Sequence, residues 1–474
     1  MKTLLMIALG GSLGACMTEG PEDTTAAAID ELVIGGGPGG SGFPNNLPFS
    51  DASGQFTTVS TQGSIDLGNE FFQNLGSNGR RCVSCHVPSV GWSVTPAQLQ
   101  AVFSATGGGA FDDGFGLAAA FRTNDGANAP NADVSSLAAR RAAYSMLLSR
   151  GVIRVGLAVP ATAEFELVAV DDPYHFATAA ELSLFRRPLP TANLKFDSTV
   201  MWDGREVIPG QPVSTMLLNQ ASDATVGHAQ GQPLTLAQRQ SIVDFEVALA
   251  SAQIFDRQAH ALGEAGARGG PDAILAQSFY VGINDNLGDS RTGAPFSPIV
   301  FDVFDAWATA PGPDARRSIA RGQALFNTHP IAITGVSGIN DEPAFGRPPT
   351  LIGTCTTCHD TPNGGNHSVV APLDLGIADA ARRTPDMPLY TLRNKATGEL
   401  RQTTDPGRAM IDGKWNHIGR FKGPMLRNLA ARPPYFHNGS AADLATVVDF
   451  YDQRFAIGLS AQDKADLIAF LGAL

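Results

Sequence analysis

The chain carries the pentapeptide Cys-x-x-Cys-His twice, as Cys82-Val83-Ser84-Cys85-His86 and as Cys355-Thr356-Thr357-Cys358-His359. No other feature limits its fold so strongly. Two thiols separated by two residues can add to the two vinyl groups of one porphyrin, and the next imidazole then lies under the iron as an axial ligand. The same cysteines could instead close two disulfides in an oxidising compartment or share one zinc ion. Neither alternative gives a role to a His directly after each pair. Two covalent c-type haems are therefore expected, one on Cys82, Cys85 and His86 and one on Cys355, Cys358 and His359.

The fifth cysteine, Cys16, ends Leu13-Gly14-Ala15-Cys16, after Lys2 and an apolar run from Leu4 to Leu13. A basic start, a short apolar stretch and small residues before a Cys match a bacterial lipobox, although an ordinary secretory signal with an incidental Cys has the same outline. The run is about half of the ~20 apolar residues needed to span a bilayer. Residues 1–16 are read as a lipoprotein signal. Residues 17–60, rich in Gly, Pro, Thr and Asn, are read as a flexible tether. The body is expected in the periplasm, meeting a membrane only through a lipid anchor.

The net charge of −12 makes nucleic acid a poor partner. It suits a basic redox protein, and it serves solubility equally well. The 474 residues allow two or three domains, and 52 Gly and 31 Pro suggest helices set in long structured loops. The expected fold is mainly α: two c-type cytochrome domains, at 61–305 and 315–474, with an insertion at about 100–185 that carries a small β-hairpin. Ile65 to Phe72 and Ile319 to Phe326 share the pattern Ile-x-x-Gly-x-x-x-Phe, which reads as two helices whose Gly admits a close neighbour. Ser460 to Asp463 is a capping box for a last helix. Asp133 is read as capping a helix that Gly151 ends. Residues 152–159 and 164–170 read as the hairpin, and 306–318 as the linker between domains.

Two further motifs are Met201-Trp202-Asp203-Gly204-Arg205, and Phe421 to Asn428 followed by Pro434-Tyr435-Phe436-His437-Asn438-Gly439. With the two haem motifs, in this order, the chain resembles the bacterial di-haem cytochrome c peroxidase and MauG superfamily over roughly residues 64–474. The resemblance implies that the N-terminal haem meets hydrogen peroxide. The C-terminal haem would take electrons from a small periplasmic donor, a cytochrome c or a cupredoxin. A MauG-like variant would use peroxide to oxidise a partner protein. A different class, a non-enzymatic electron-transfer cytochrome, would share the same haem motifs.

By the same resemblance Trp202 lies between the haems and Gln220 in the peroxide pocket. The family's acid–base Glu, ten residues after that Gln, is replaced here by Gln230, which moves no proton; His228 is the candidate base. No His occurs between His86 and His175, so the first haem lacks a nearby distal ligand unless His175 or His228 swings in. Tyr451 matches the position of the second haem's distal ligand, with Met410 and Met425 as competitors. A calcium ion between the domains is a further implication, held by carbonyls near Arg432 and Pro434. The family's Asn ligand has no counterpart around Arg187 to Pro190.

Overall fold

A computed structural model describes residues 41–109, 114–123 and 126–474. The lipobox, the signal segment and residues 17–40 of the expected tether lie outside the described residues. Among those described, no helix is long and apolar enough to cross a membrane.

The protein is 31% helix and 17% strand, in several small sheets, so the expectation of a mainly α fold is overturned. The strands were hard to foresee because they pair across long stretches of sequence. Gly54–Ser60 runs antiparallel to Leu249–Asp256, within a four-stranded sheet completed by Phe49–Ser50 and His260–Ala261. Residues 42–60, expected as tether, are thus strands and loops that bury Phe43, Phe49 and Phe56. Alternation of Phe56, Thr58 and Ser60 with their neighbours is too weak a signal beside so many Gly and polar residues.

The hairpin at 152–170 does not form. Ile153–Leu157 pairs with Leu182–Arg186, and Phe165–Asp171 pairs with Leu389–Asn394 from the C-terminal half. Both runs are strands, as their composition suggests, but a strand's own residues do not name its partner. A core of Phe165, Leu184, Tyr390, Leu392, Met410 and Ile418 fills the space between these strands. The 100–185 segment is therefore woven into both halves. The expected 133–150 helix is two helices, Leu137–Ala143 and Ser145–Arg150, broken at Tyr144 and capped by Ser136 instead of Asp133. Gly151 ends the second in the left-handed conformation, as expected of a helix terminus.

The two Ile-x-x-Gly-x-x-x-Phe segments differ. Residues 65–72 form the end of strand Ser64–Asp66 and a single turn, Glu70–Phe72, with no helix for Gly68 to admit. Phe71 and Phe72 still pack on Phe245, with ring centroids 5.2 and 5.4 Å away. The second segment lies in helix Asp314–Thr328, which crosses the last helix, Ala461–Gly472. Gly322 sits at the crossing, where a Cβ would strike the Asp466 carbonyl and Phe470. The capping box of Ser460 and Asp463 opens that last helix. The presumed 306–318 linker is short: Trp307 is fully buried and stacked on Phe304 at 5.0 Å, and the helix begins at Asp314.

Candidate functional site

Each Cys-x-x-Cys-His motif lines its own apolar cavity. The first cavity, about 170 Å³, holds Cys82, Cys85 and His86 on one wall. The facing wall is helix Val213–Ala229, which presents Leu217, Gln220, Ala221, Ala224, Thr225 and His228. Gln220, Ala224 and His228 recur every four residues, so a single helical face carries them. Gln230 is exposed, in the left-handed residue that ends the helix, and does not line the cavity. His175 is also exposed, in the turn after Asp172, and is not part of this wall.

The second cavity, about 200 Å³, is lined by Cys355, Cys358 and His359, with Phe326, Ile331, Ile333, Leu373 and Val448 around them. Tyr451 projects into it from helix Leu444–Phe455. Its hydroxyl is pushed well up by burial and then by Cys358 and Cys355. Neither competing methionine reaches this space. Met410 is packed in the strand core described above, and Met425 lies with Phe196, Ala250 and Ile274.

The thiols and imidazoles share a dry environment. Burial pushes Cys82, Cys355 and Cys358 up to about 12 and His86 and His359 down to about 4. Both imidazoles are neutral at physiological pH. His86 Nδ1 lies 3.4 Å from the Trp92 carbonyl, and His359 Nδ1 meets the Gly365 carbonyl. A carbonyl only accepts, so Nδ1 carries the proton in each ring and Nε2 keeps its lone pair for a metal.

A thin wall separates the cavities: Arg187, Pro188, Leu189, Pro190, Trp202 and Lys422 line both. Trp202 Nε1 donates to the Arg187 carbonyl at 2.8 Å. The Trp202 ring meets His437 edge-on at 6.3 Å, and His437 stacks on Phe421 at 3.9 Å. The next residue, Asp203, is fully buried between Arg186 and Arg205. Burial alone would raise its carboxyl, but the two guanidiniums hold it below the usual range. Arg186 also makes a two-pronged bond to Asp405, at 2.7 and 2.9 Å. The Trp-Asp-Gly-Arg motif is thus anchored by ion pairs that are buried and fully matched.

The cavities fit c-type haem. The two cysteine pairs face different cavities and form no disulfide, and among the described residues no cluster of His, Cys, Asp and Glu could hold a metal ion alone. A shared zinc site is excluded by that separation. Moreover, Arg432 lines the second cavity with its Nε buried and lacking a hydrogen-bond partner, and burial pushes it down to about 10. A buried cation without an anion is costly; haem propionates are carboxylates of the kind it calls for.

No family model matches the chain. Curated relatives do. It is 29% identical over 191 residues to cytochrome-c peroxidase IdrP1 of Pseudomonas sp. (strain SCT), covering 36% of this chain and 43% of the relative. It is 31% identical over 132 residues to cytochrome-c peroxidase IdrP2 of Denitromonas iodatirespirans, covering 26% of this chain and 36% of the relative. The chain resembles the di-haem cytochrome c peroxidase and MauG superfamily, as these relatives support. It spans less than half the length of these relatives. Among solved structures it is similar to a MauG-like protein associated with microbial copper homeostasis, at 17% identity and a TM-score of 0.32, over 62% of this chain and 74% of that one.

Sequence reasoning missed two residues of these cavities and their walls. Glu246 lines the first cavity from helix Leu236–Ala248, with Oε2 unpartnered. Its signal was its place four residues after Ile242 on a buried helical stripe, where a carboxylate is out of keeping. His437 is buried in the wall with neither ring nitrogen hydrogen-bonded; the motif containing it was noted, but no periodicity points it inward.

Proposed function

We propose that the protein is a periplasmic di-haem peroxidase. It reduces hydrogen peroxide at the first cavity with electrons that a small donor, a cytochrome c or cupredoxin, delivers through the second. When bound, each haem would supply an iron that exchanges electrons. One observation carries the assignment of roles. A third cavity of about 300 Å³, with the charged side chains of Arg154, Glu181, Glu206 and Asp223 on its walls, shares Arg205, Gln220 and His228 among others with the first haem cavity. A small polar molecule therefore has a route to the first cavity past these shared side chains. The second cavity shares none of that lining.

At the inner end of this route, Gln220 offers an amide that both donates and accepts, and so orients a peroxide. His228 takes the proton from one peroxide oxygen and returns it to the other, the role that Gln230, outside the cavity, does not fill. Trp202 stands in the wall between the haems, its indole fixed by the Arg187 carbonyl, and shortens the electron's path. Tyr451 would hold the second haem together with His359; it alone among the three candidates lines that cavity. The test is peroxide-dependent oxidation of a reduced small cytochrome c by the holoprotein. His228→Ala is expected to slow it by about 10²–10⁴-fold, the usual worth of a positioned base. No peroxide-dependent oxidation in the wild type would contradict the function, and an unchanged rate in the variant would contradict the role of His228.

A further inference from the structure

We infer that the guanidinium of Arg187 is the resident cation of a carbonyl cage between the two haem cavities, standing where the superfamily resemblance implies a calcium ion. Arg187 is 5% exposed. Its Nη1 donates to the carbonyls of Arg150 at 2.9 Å and Gly151 at 3.4 Å. Its Nη2 donates to the carbonyls of Val94 at 2.7 Å and Arg432 at 3.2 Å. Four neutral oxygens from three separate segments thus converge on one buried positive charge. That is the donor type a hard cation selects.

The cage is built by local structure. The Arg150 and Gly151 carbonyls lie at the end of helix Ser145–Arg150, where intrahelical partners run out. Gly151 has φ of 59°, and a Cβ there would strike Arg187 Nη1. The lack of a side chain at 151 is what lets the guanidinium in. Arg432 comes from the C-terminal half, so the cage joins the two halves. The main chain of Arg187 extends the joint: its N–H donates to the His437 carbonyl at 2.6 Å, and its carbonyl accepts from the Trp202 indole at 2.8 Å. Burial, followed by repulsion from Arg432, brings the guanidinium down to about 9, so it stays charged at neutral pH.

A calcium ion does not fit beside it. Calcium takes six to eight oxygens at about 2.3–2.6 Å. The Arg432 carbonyl, which the resemblance would make a calcium ligand, is already engaged by an N–H. The following residues, Pro188, Leu189 and Pro190, offer neither carboxylate nor side-chain amide. A second cation would also meet the repulsion of the first in a medium of low dielectric.

The experiment needs no turnover, so its outcome is independent of whether the protein reduces peroxide. Holoprotein expressed with ample calcium is passed through gel filtration in calcium-free buffer, and its calcium is measured by plasma mass spectrometry. Substoichiometric calcium, with the same thermal midpoint in EGTA as in added calcium, is the expected result. One calcium per chain surviving filtration, or a midpoint that falls in EGTA, would overturn the inference. Arg187→Lys keeps a charge in the cage, whereas Arg187→Met fills similar space without one. The midpoint of Arg187→Met is expected to fall further; equal midpoints would overturn the cationic role. Should neither variant fold, calcium content of the wild type decides.

Discussion

Replacing Glu246 by Gln tests whether the first haem cavity is as dry as its lining indicates. Glu246 is 3% exposed, and burial pushes its carboxyl from 4.5 up to about 8. Between those two pH values the unfolded chain carries a carboxylate while the folded chain keeps the proton. The folded state therefore binds more protons, and stability falls as pH rises through this window. Below pH 4.5 both states are protonated and the penalty vanishes. At about 1.4 kcal/mol per pH unit, the loss across the window is on the order of 5 kcal/mol, an upper limit because a cavity admits some water. Gln keeps the shape and cannot ionise. Denaturant unfolding of the holoprotein at pH 5 and at pH 8 gives the stability difference between Glu246→Gln and wild type, in which every other titrating group cancels. The difference is expected to move in favour of the variant by several kcal/mol from pH 5 to pH 8. Parallel pH dependences would refute the reasoning, since Glu246 would then titrate as it does in water.

At the crossing of helices Asp314–Thr328 and Ala461–Gly472, Gly322→Ala forces a methyl group into the Asp466 carbonyl and Phe470; thermal unfolding should show a loss of about 1–3 kcal/mol, the usual cost of overpacking, and an unchanged midpoint would mean the crossing relaxes freely. With Tyr451 as ligand, the oxidised protein should lack the near-infrared charge-transfer band of a methionine–iron bond, and Tyr451→Phe should alter the optical spectrum of the second haem. A methionine band present in Tyr451→Phe, and lost when Met410 or Met425 is replaced, would contradict that ligand.

The haem cavities were the most legible part of the chain, because their chemistry is written in contiguous residues. Cys-x-x-Cys-His fixes two thiols and an imidazole by covalent spacing alone. Gln220 and His228 were named from the family resemblance, and it is the structure that puts them on one helical wall; the capping box at Ser460 marked the start of the last helix. What could not be read was pairing at long range. Gly54–Ser60 finds its partner almost two hundred residues later, and Phe165–Asp171 pairs across the halves. Local alternation reports that a strand has one buried face but not which strand covers its edge. For the same reason Met410 was a plausible ligand by sequence distance and is a core residue in space. Arg187 was noticed only for the lack of a calcium-binding Asn beside it. Its own part in the wall depends on carbonyls of Val94, Arg150, Gly151 and Arg432, and backbone oxygens leave no trace in a sequence.

The most direct test of the two-haem architecture is the mass of the denatured, purified holoprotein, measured after acid–acetone treatment. The expected mass exceeds that of the polypeptide by two haems, held through Cys82 and Cys85 and through Cys355 and Cys358. A mass with one haem or none, or haem released into the acetone phase, would contradict the account.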